Sequence, residues 1–191
     1  MDYNIKLLLL GDASVGKSSL LQRWTKPQEE PIALETIGIN VLSHVIRLDS
    51  YMYKIRFWDT NGQKYYDKLY GQYIYNSDCI VLIYDTTEKD SWTKCKYWMN
   101  KIYASNGPKT PVYIVGNKID KESKRIVHKA DVQSYIKQSS LENIMMAECS
   151  AKTGENCRET YRSILLSCGK PNEEIWASKT YTEPQSNCII V

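Results

Sequence analysis

Histidine, paired cysteines and long apolar runs are what this sequence most lacks. Only two of its 191 residues are His, and its six cysteines (Cys79, Cys95, Cys149, Cys157, Cys168 and Cys188) contain no C-x-x-C pair. A structural zinc site, which asks for His and Cys ligands at short spacings, is therefore not expected. A disulfide framework is not expected either, and most of these thiols read as small core residues. Nowhere does the sequence hold the roughly 18 apolar residues of a membrane helix. The opening MDYNIKLLLL is too short for a signal peptide and lacks a small-residue cleavage site, so a cytoplasmic location is expected. Charge of one sign is scarce too: a net +3 is too small to argue for a nucleic-acid partner. Phenylalanine occurs once against fifteen Tyr, and nothing in the sequence explains that bias.

With 42% apolar and 25% charged residues, the chain has the material for one globular domain of ordinary size. Its apolar residues fall into two alternating patterns. Ile5 to Leu10, Cys79 to Tyr84 and Val112 to Val115 are continuously apolar, as strands covered on both faces should be. Residues 39 to 48 and 53 to 58 alternate more and predict a hairpin at the sheet edge, turning at Asp49 and Ser50. A last strand is expected over Met145 to Cys149. Between these runs helical stripes appear: Trp92, Cys95, Met99, Ile102 and Tyr103; then Val132, Tyr135 and Ile136; then Cys157, Tyr161, Ile164 and Leu165. Strands alternating with helices predict an α/β domain with a largely parallel sheet. After Gly169 and Pro171 the periodicity stops, so residues 1–169 read as the domain and 170–191 as a flexible tail.

The first strand runs straight into Gly11-Asp12-Ala13-Ser14-Val15-Gly16-Lys17-Ser18, followed by a helical stretch from Ser19. This is G-x-x-x-x-G-K-[ST], and its chemistry is phosphate binding. Glycines let the backbone curl so that successive N–H groups face an anion, and the helix that starts there adds its positive end. Lys17 supplies charge to the β and γ phosphates, and the Ser18 hydroxyl is a Mg²⁺ ligand. A strand-end acid, Asp59 in Trp58-Asp59-Thr60-Asn61-Gly62-Gln63, suits the same magnesium shell, directly or through water.

Two further segments choose the base. Asn117-Lys118-Ile119-Asp120 follows the Val112 to Val115 strand, and Ser150-Ala151-Lys152 follows the last one. An Asp120 carboxylate can accept from both the ring N–H and the exocyclic amine of guanine, a pair adenine does not offer. The Ala151 N–H is placed to meet the guanine carbonyl oxygen, and the Lys152 stem to cover the ring. In open α/β sheets ligands sit at the carboxyl ends of strands, where all four motifs are expected.

In that order these motifs resemble the Ras superfamily of small GTPases over about residues 3 to 168. Thr36-Ile37-Gly38, the Trp58 to Gln63 stretch and Tyr84-Asp85-Thr86-Thr87 are most similar to the Rab family. The resemblance implies a P-loop NTPase-type fold, a mixed, mostly parallel six-stranded sheet flanked by helices on both faces. It implies a GTP hydrolase of low intrinsic activity that binds GTP or GDP with Mg²⁺ and switches effectors in membrane trafficking. Under it, Ala13 to Ser19, Thr36, Gly62, Asn117, Lys118, Asp120 and Ser150 to Lys152 contact nucleotide. Ser18 and Thr36 ligate the metal, and Gln63 orients the attacking water. Segments 25–41 and 60–76 become the two switches. Exchange factors, activating proteins, effectors and a lipid-extracting carrier are the implied partners of a monomeric protein.

Departures from the Rab pattern are Asn61 in place of Ala and Lys64 in place of Glu. Glu29 aligns with the aromatic that packs on the guanine, and the three-aromatic effector patch maps to Val41, Trp58 and Tyr73, one ring short. Asn61 and the altered first switch keep open a second reading, a non-hydrolysing guanine-nucleotide-dependent binding module. The last four residues, Cys188-Ile189-Ile190-Val191, spell a C-a-a-X box, so a prenyl group on Cys188 and reversible attachment to an intracellular membrane are expected.

Overall fold

The computed structural model describes residues 3–32, 35–48, 51–63, 73–75, 77–106, 110–139 and 143–168. The expected Asp49–Ser50 turn, Lys64, most of the second switch, and the tail with Cys188 lie outside these residues.

Six strands form one sheet: β1 (Tyr3–Gly11), β2 (Ile39–Leu48), β3 (Tyr51–Thr60), β4 (Cys79–Asp85), β5 (Val112–Asn117) and β6 (Ile144–Glu148). Their order is β2-β3-β1-β4-β5-β6. Only β2 runs antiparallel, paired with β3 from Ile39–Thr60 to Leu48–Tyr51 at the edge. Every other pairing is parallel. The family-based expectation of a mixed, mostly parallel six-stranded sheet is met.

Alternation within the continuous apolar runs builds two cores. On β1, Ile5, Leu7 and Leu9 face one side while Leu8 and Leu10 face the other. On β4, Cys79, Val81 and Ile83 divide from Ile80, Leu82 and Tyr84 in the same way. The first core is closed by α1 (Lys17–Thr25) and α4 (Cys157–Ser167), which are stacked through Trp24 and Tyr161 at 5.5 Å. The second is closed by α2 (Lys89–Asn106) and α3 (Lys129–Gln138). Each fully buried aliphatic side chain contributes about 1.5–3 kcal/mol, which explains why the interior strands carry no polar alternation.

The helical stripes hold, with one omission. Trp98, three residues after Cys95, is fully buried and belongs to the α2 stripe. Two strands run past their apolar stretches: Asp85 and Asn117, both buried, pair with each other at the ends of β4 and β5. Polar strand ends are invisible to an apolar-run criterion, yet they mark where the site begins. The last strand starts at Ile144 rather than Met145. The Cys149 N–H still reaches Gly116 O at 2.8 Å before the chain turns away. The cysteines Cys79, Cys95, Cys149 and Cys157 are buried free thiols, as expected of small core residues, and Cys168 is half-buried.

Candidate functional site

Parallel strands pointing one way deliver their carboxyl ends to one edge. There the sheet presents Gly11, Asp59, Asp85, Asn117 and Glu148 within a short span of the ladder. The β1–α1 loop curls on left-handed residues, Ser14 at φ 62° and Gly16 at φ 95°. A Cβ on Gly16 would meet Asn117 Nδ2 at 2.4 Å, so no other residue fits. Val15 is buried beneath the loop and its carbonyl accepts from Asn117 Nδ2 at 2.8 Å. Ser14, Gly16 and Ser19 face a cavity of about 540 Å³, within the range that takes a nucleoside. The Ala13 N–H does not face inward: it donates to Asp12 Oδ1 at 2.9 Å.

Lys17 opens α1 and is buried, its ammonium donating to Gly11 O at 3.2 Å and Asp12 O at 2.6 Å. Burial pushes it down to about 8, and the Asp59 and Asp12 carboxylates oppose that shift. An ammonium so placed gains from any anion seated in the loop.

Three oxygen donors from three segments converge beside it. Ser18 Oγ lies 2.7 Å from Thr36 Oγ1 and donates to Asp59 Oδ2 at 2.5 Å; Thr36 Oγ1 is 3.4 Å from the same oxygen. Asp59 is buried, and its Oδ1 has no partner. Burial raises its carboxyl above the usual carboxylate range against the pull of Ser18 and Lys17. A buried carboxylate oxygen without a partner, flanked by two hydroxyls, is an arrangement a hard, oxygen-seeking cation completes. Among the described residues no group of three or more His, Cys, Asp or Glu is placed to hold a metal ion.

The end expected to take the base is cross-linked by side chains. Asn117 Oδ1 accepts from the Ala151 N–H at 3.0 Å, so this amide binds another loop in the structure and a base carbonyl would have to share it. Lys118 donates to Ser14 O at 2.7 Å and pairs with the buried Asp85 at 2.6 Å. Burial alone would raise the Asp85 carboxyl, but Lys118 and Thr87 hold it below its ordinary value. Asp120 accepts from Ser150 Oγ at 2.6 Å, and Asp120, Ala151 and Lys152 line the cavity with Asn117 and Lys118. Across it stand Glu30 and Pro31; Glu29, which alignment placed over the base, instead pairs with Lys26 at 3.2 Å.

Described residues of the two expected switch segments also come together. Gly62, at φ 77°, packs so close to the phosphate loop that a Cβ would sit 2.6 Å from Asp12 O and Gly11 O. The Gln63 N–H donates to Asn61 Oδ1 at 3.0 Å, and Gln63 Nε2 donates to Glu35 Oε1 at 2.9 Å. Trp58 and Tyr73 pack at a tilt with ring centroids 5.0 Å apart, while Val41, opposite Trp58 in register, is exposed.

Two arginines join distant parts of the chain. Arg125 is 11% exposed and pairs with Glu148 at 3.0 Å and Glu122 at 2.8 Å, tying the turn after Asn117 to the end of β6. Arg23 reaches across to the carbonyls of Ala151 and Lys152. Glu148 lies 23 residues from Arg125 and Ala151 lies 128 from Arg23, and no local pattern announces these two contacts.

The family model for Ras proteins matches residues 6–169. The chain belongs to the Ras family. The GTP-binding protein ypt5 of Schizosaccharomyces pombe is 36% identical over 163 residues, 84% of this chain and 76% of that protein. The chain is a Rab-like small GTPase, a GTP hydrolase by family, and Ras-family GTPases bind GTP or GDP with Mg²⁺. No helix among the described residues is long and apolar enough to cross a membrane.

Proposed function

We propose that residues 1–169 form a guanine-nucleotide switch that hydrolyses GTP slowly and recruits effectors in its GTP form, in membrane trafficking. The observation that supports it best is the convergence of Ser18, Thr36 and Asp59 next to Lys17, on the same loop and helix start whose Ser14, Gly16 and Ser19 line a nucleoside-sized cavity with Asn117 and Asp120. Ser14 to Ser19 hold the phosphates, with Ala13 joining them once its N–H leaves Asp12. The Lys17 ammonium leaves two carbonyls for phosphate oxygens. Ser18 and Thr36 would hold magnesium directly and Asp59 directly or through water; the ion supplies neutralising charge on the β and γ phosphates. Gly62 offers its N–H to the γ phosphate, and its position against Asp12 ties the second switch to the phosphate loop.

Gln63 orients the attacking water. A carboxylate only accepts, so Glu35 fixes which end of the Gln63 amide faces it: Nε2 is held and Oε1 turns away, able to take a water proton. Intrinsic turnover on the order of 10⁻⁴ s⁻¹ is expected, with about 10⁵-fold more from an activating protein that brings an arginine. The same contact favours the second reading, a binding module that does not hydrolyse, because it draws Gln63 toward the first switch. Single-turnover phosphate release from GTP-loaded protein, with and without magnesium, decides between them: slow release that needs magnesium supports the switch, and retained GTP with no release supports the module. An adenine-nucleotide kinase is disfavoured by Asp120.

Effectors and exchange factors are expected at the exposed Ile37 and Val41 beside the Trp58–Tyr73 pair. Membrane attachment through a prenyl group on Cys188 rests on the Cys188-Ile189-Ile190-Val191 tetrapeptide. One lipid chain gives only marginal affinity, so attachment is reversible and a soluble carrier can extract the protein. Cys188→Ser should move the protein wholly into the soluble fraction of a cell extract; membrane residence equal to wild type excludes the anchor.

A further inference from the structure

Helix α1 starts in the phosphate site, but its last turns do something else. Arg23 projects a planar fork onto two consecutive carbonyls: Nε donates to Ala151 O and Nη2 to Lys152 O, both at 2.9 Å. Its third nitrogen, Nη1, donates to Pro27 O at 3.0 Å, in the first switch. One guanidinium therefore joins the helix, the loop that walls one side of the base cavity, and the segment that leads to the other side. Lysine cannot reproduce this, because an ammonium offers a point charge rather than parallel donors.

Gln22, the neighbouring residue, holds the other wall. Its Oε1 accepts from the Ile32 N–H at 2.9 Å and its Nε2 lies 3.4 Å from Glu30 O, so the Glu30–Pro31 segment that lines the cavity is strapped at both ends. Helix α1 is itself immobilised by Trp24 stacked on Tyr161 and by the buried Leu20 and Leu21. Arg23 is six residues from Lys17, about 9 Å along a rigid helix. The element that carries the phosphate-binding lysine thus also fixes both walls around the base.

We infer that Gln22 and Arg23 are positioning residues that set how long guanine nucleotide stays bound, by bracketing the two sides of the base cavity from α1. Neither touches nucleotide; they act through Ala151, Lys152, Glu30 and Pro31. The inference rests on the reading of that cavity as a guanine site. It has a directional consequence: a partner that pulls the first switch away from Gln22 also strips Pro27 from Arg23, loosening the 151–152 loop, so switch opening and base release are mechanically joined. Breaking charge-assisted bonds to two loop carbonyls is expected to speed release about ten- to a hundredfold.

The test follows release of fluorescent GDP in magnesium, chased by excess unlabelled GDP, alongside single-turnover hydrolysis of GTP already bound. Arg23→Met should speed release about ten- to a hundredfold, Arg23→Lys should recover only part of the loss, and Gln22→Ala, a milder change at the other wall, should speed release a few-fold. Hydrolysis of bound GTP should stay within about twofold in each, because the bracket acts on the base walls and not on the γ phosphate. Wild-type release rates in Arg23→Met and Gln22→Ala overturn the inference, as does full recovery by Arg23→Lys or an equal loss of hydrolysis and of nucleotide retention, which marks general unfolding. Wild-type protein that holds GDP no longer than ADP defeats the guanine reading itself, and the inference with it; a guanine-selective wild type with unmoved variants defeats the inference alone.

Discussion

Asp120→Asn exchanges the base the protein holds: GDP affinity falls by about 10⁴-fold and xanthosine diphosphate becomes the better ligand. The carboxylate presents two acceptors to the two N–H donors on one edge of guanine. In the structure it is fixed by Ser150 Oγ at 2.6 Å, and Ser150 is fully buried, so the carboxylate cannot swing out to water without losing that bond. Asparagine keeps the shape and one acceptor but puts a donor where the other acceptor stood. Against guanine that donor meets the exocyclic amine, and two donors are left facing each other unpaired. Xanthine carries an oxygen at that position, which the asparagine amide satisfies. Competition of the two diphosphates against a fluorescent guanine nucleotide measures the exchange directly. Unaltered preference for GDP in Asp120→Asn would mean that another group reads the ring.

Gln63→Leu should leave nucleotide affinity within a few-fold of wild type while single-turnover hydrolysis falls by about one to two orders of magnitude. The side chain lies where residues of the two expected switch segments touch. Its N–H rests on Asn61, its amide on Glu35 next to Thr36, and Gly62 before it is pressed onto the phosphate loop. Leucine has the bulk to fill that place and no acceptor to orient a water. Because the loss concerns a water rather than the phosphates or the base, it appears in the chemical step alone. Phosphate release from GTP-loaded protein supplies the readout. If the variant hydrolyses at the wild-type rate, Gln63 does not orient the nucleophile, and the Glu35 contact takes it out of the reaction.

Most of the architecture was legible because it depends on local periodicity. Continuous apolar runs in β1, β4 and β5 announced strands covered on both faces, and two cores split by alternate residues are what such runs produce. The curl of the Gly11–Ser18 loop was legible for a different reason: Gly16 stands at φ 95°, where a Cβ would crowd Asn117. What stayed hidden were contacts between distant parts of the chain. Nothing local in Arg23 or Arg125 reveals that one bolts the Ala151–Lys152 loop and the other pairs with Glu148. The partner of Gln63 was equally out of reach, since Glu35 becomes relevant only once the two switches fold against each other. The polar ends of β4 and β5 were missed because Asp85 and Asn117 are buried for the site's sake rather than for the core's. Glu29 shows the opposite limit: alignment placed it over the base, but a turn closed by its N–H on Lys26 O carries it to a surface pair and leaves Glu30 and Pro31 at the cavity.

Guanine selectivity in a magnesium-assisted phosphate site is the claim on which the rest depends. Equilibrium displacement of a fluorescent guanosine diphosphate by unlabelled GDP and ADP, with magnesium present and then chelated, tests it most directly. GDP should displace the probe at concentrations about 10⁴-fold lower than ADP, and chelation should weaken its hold. Equal displacement by the two diphosphates, or a protein that retains neither, would contradict the account.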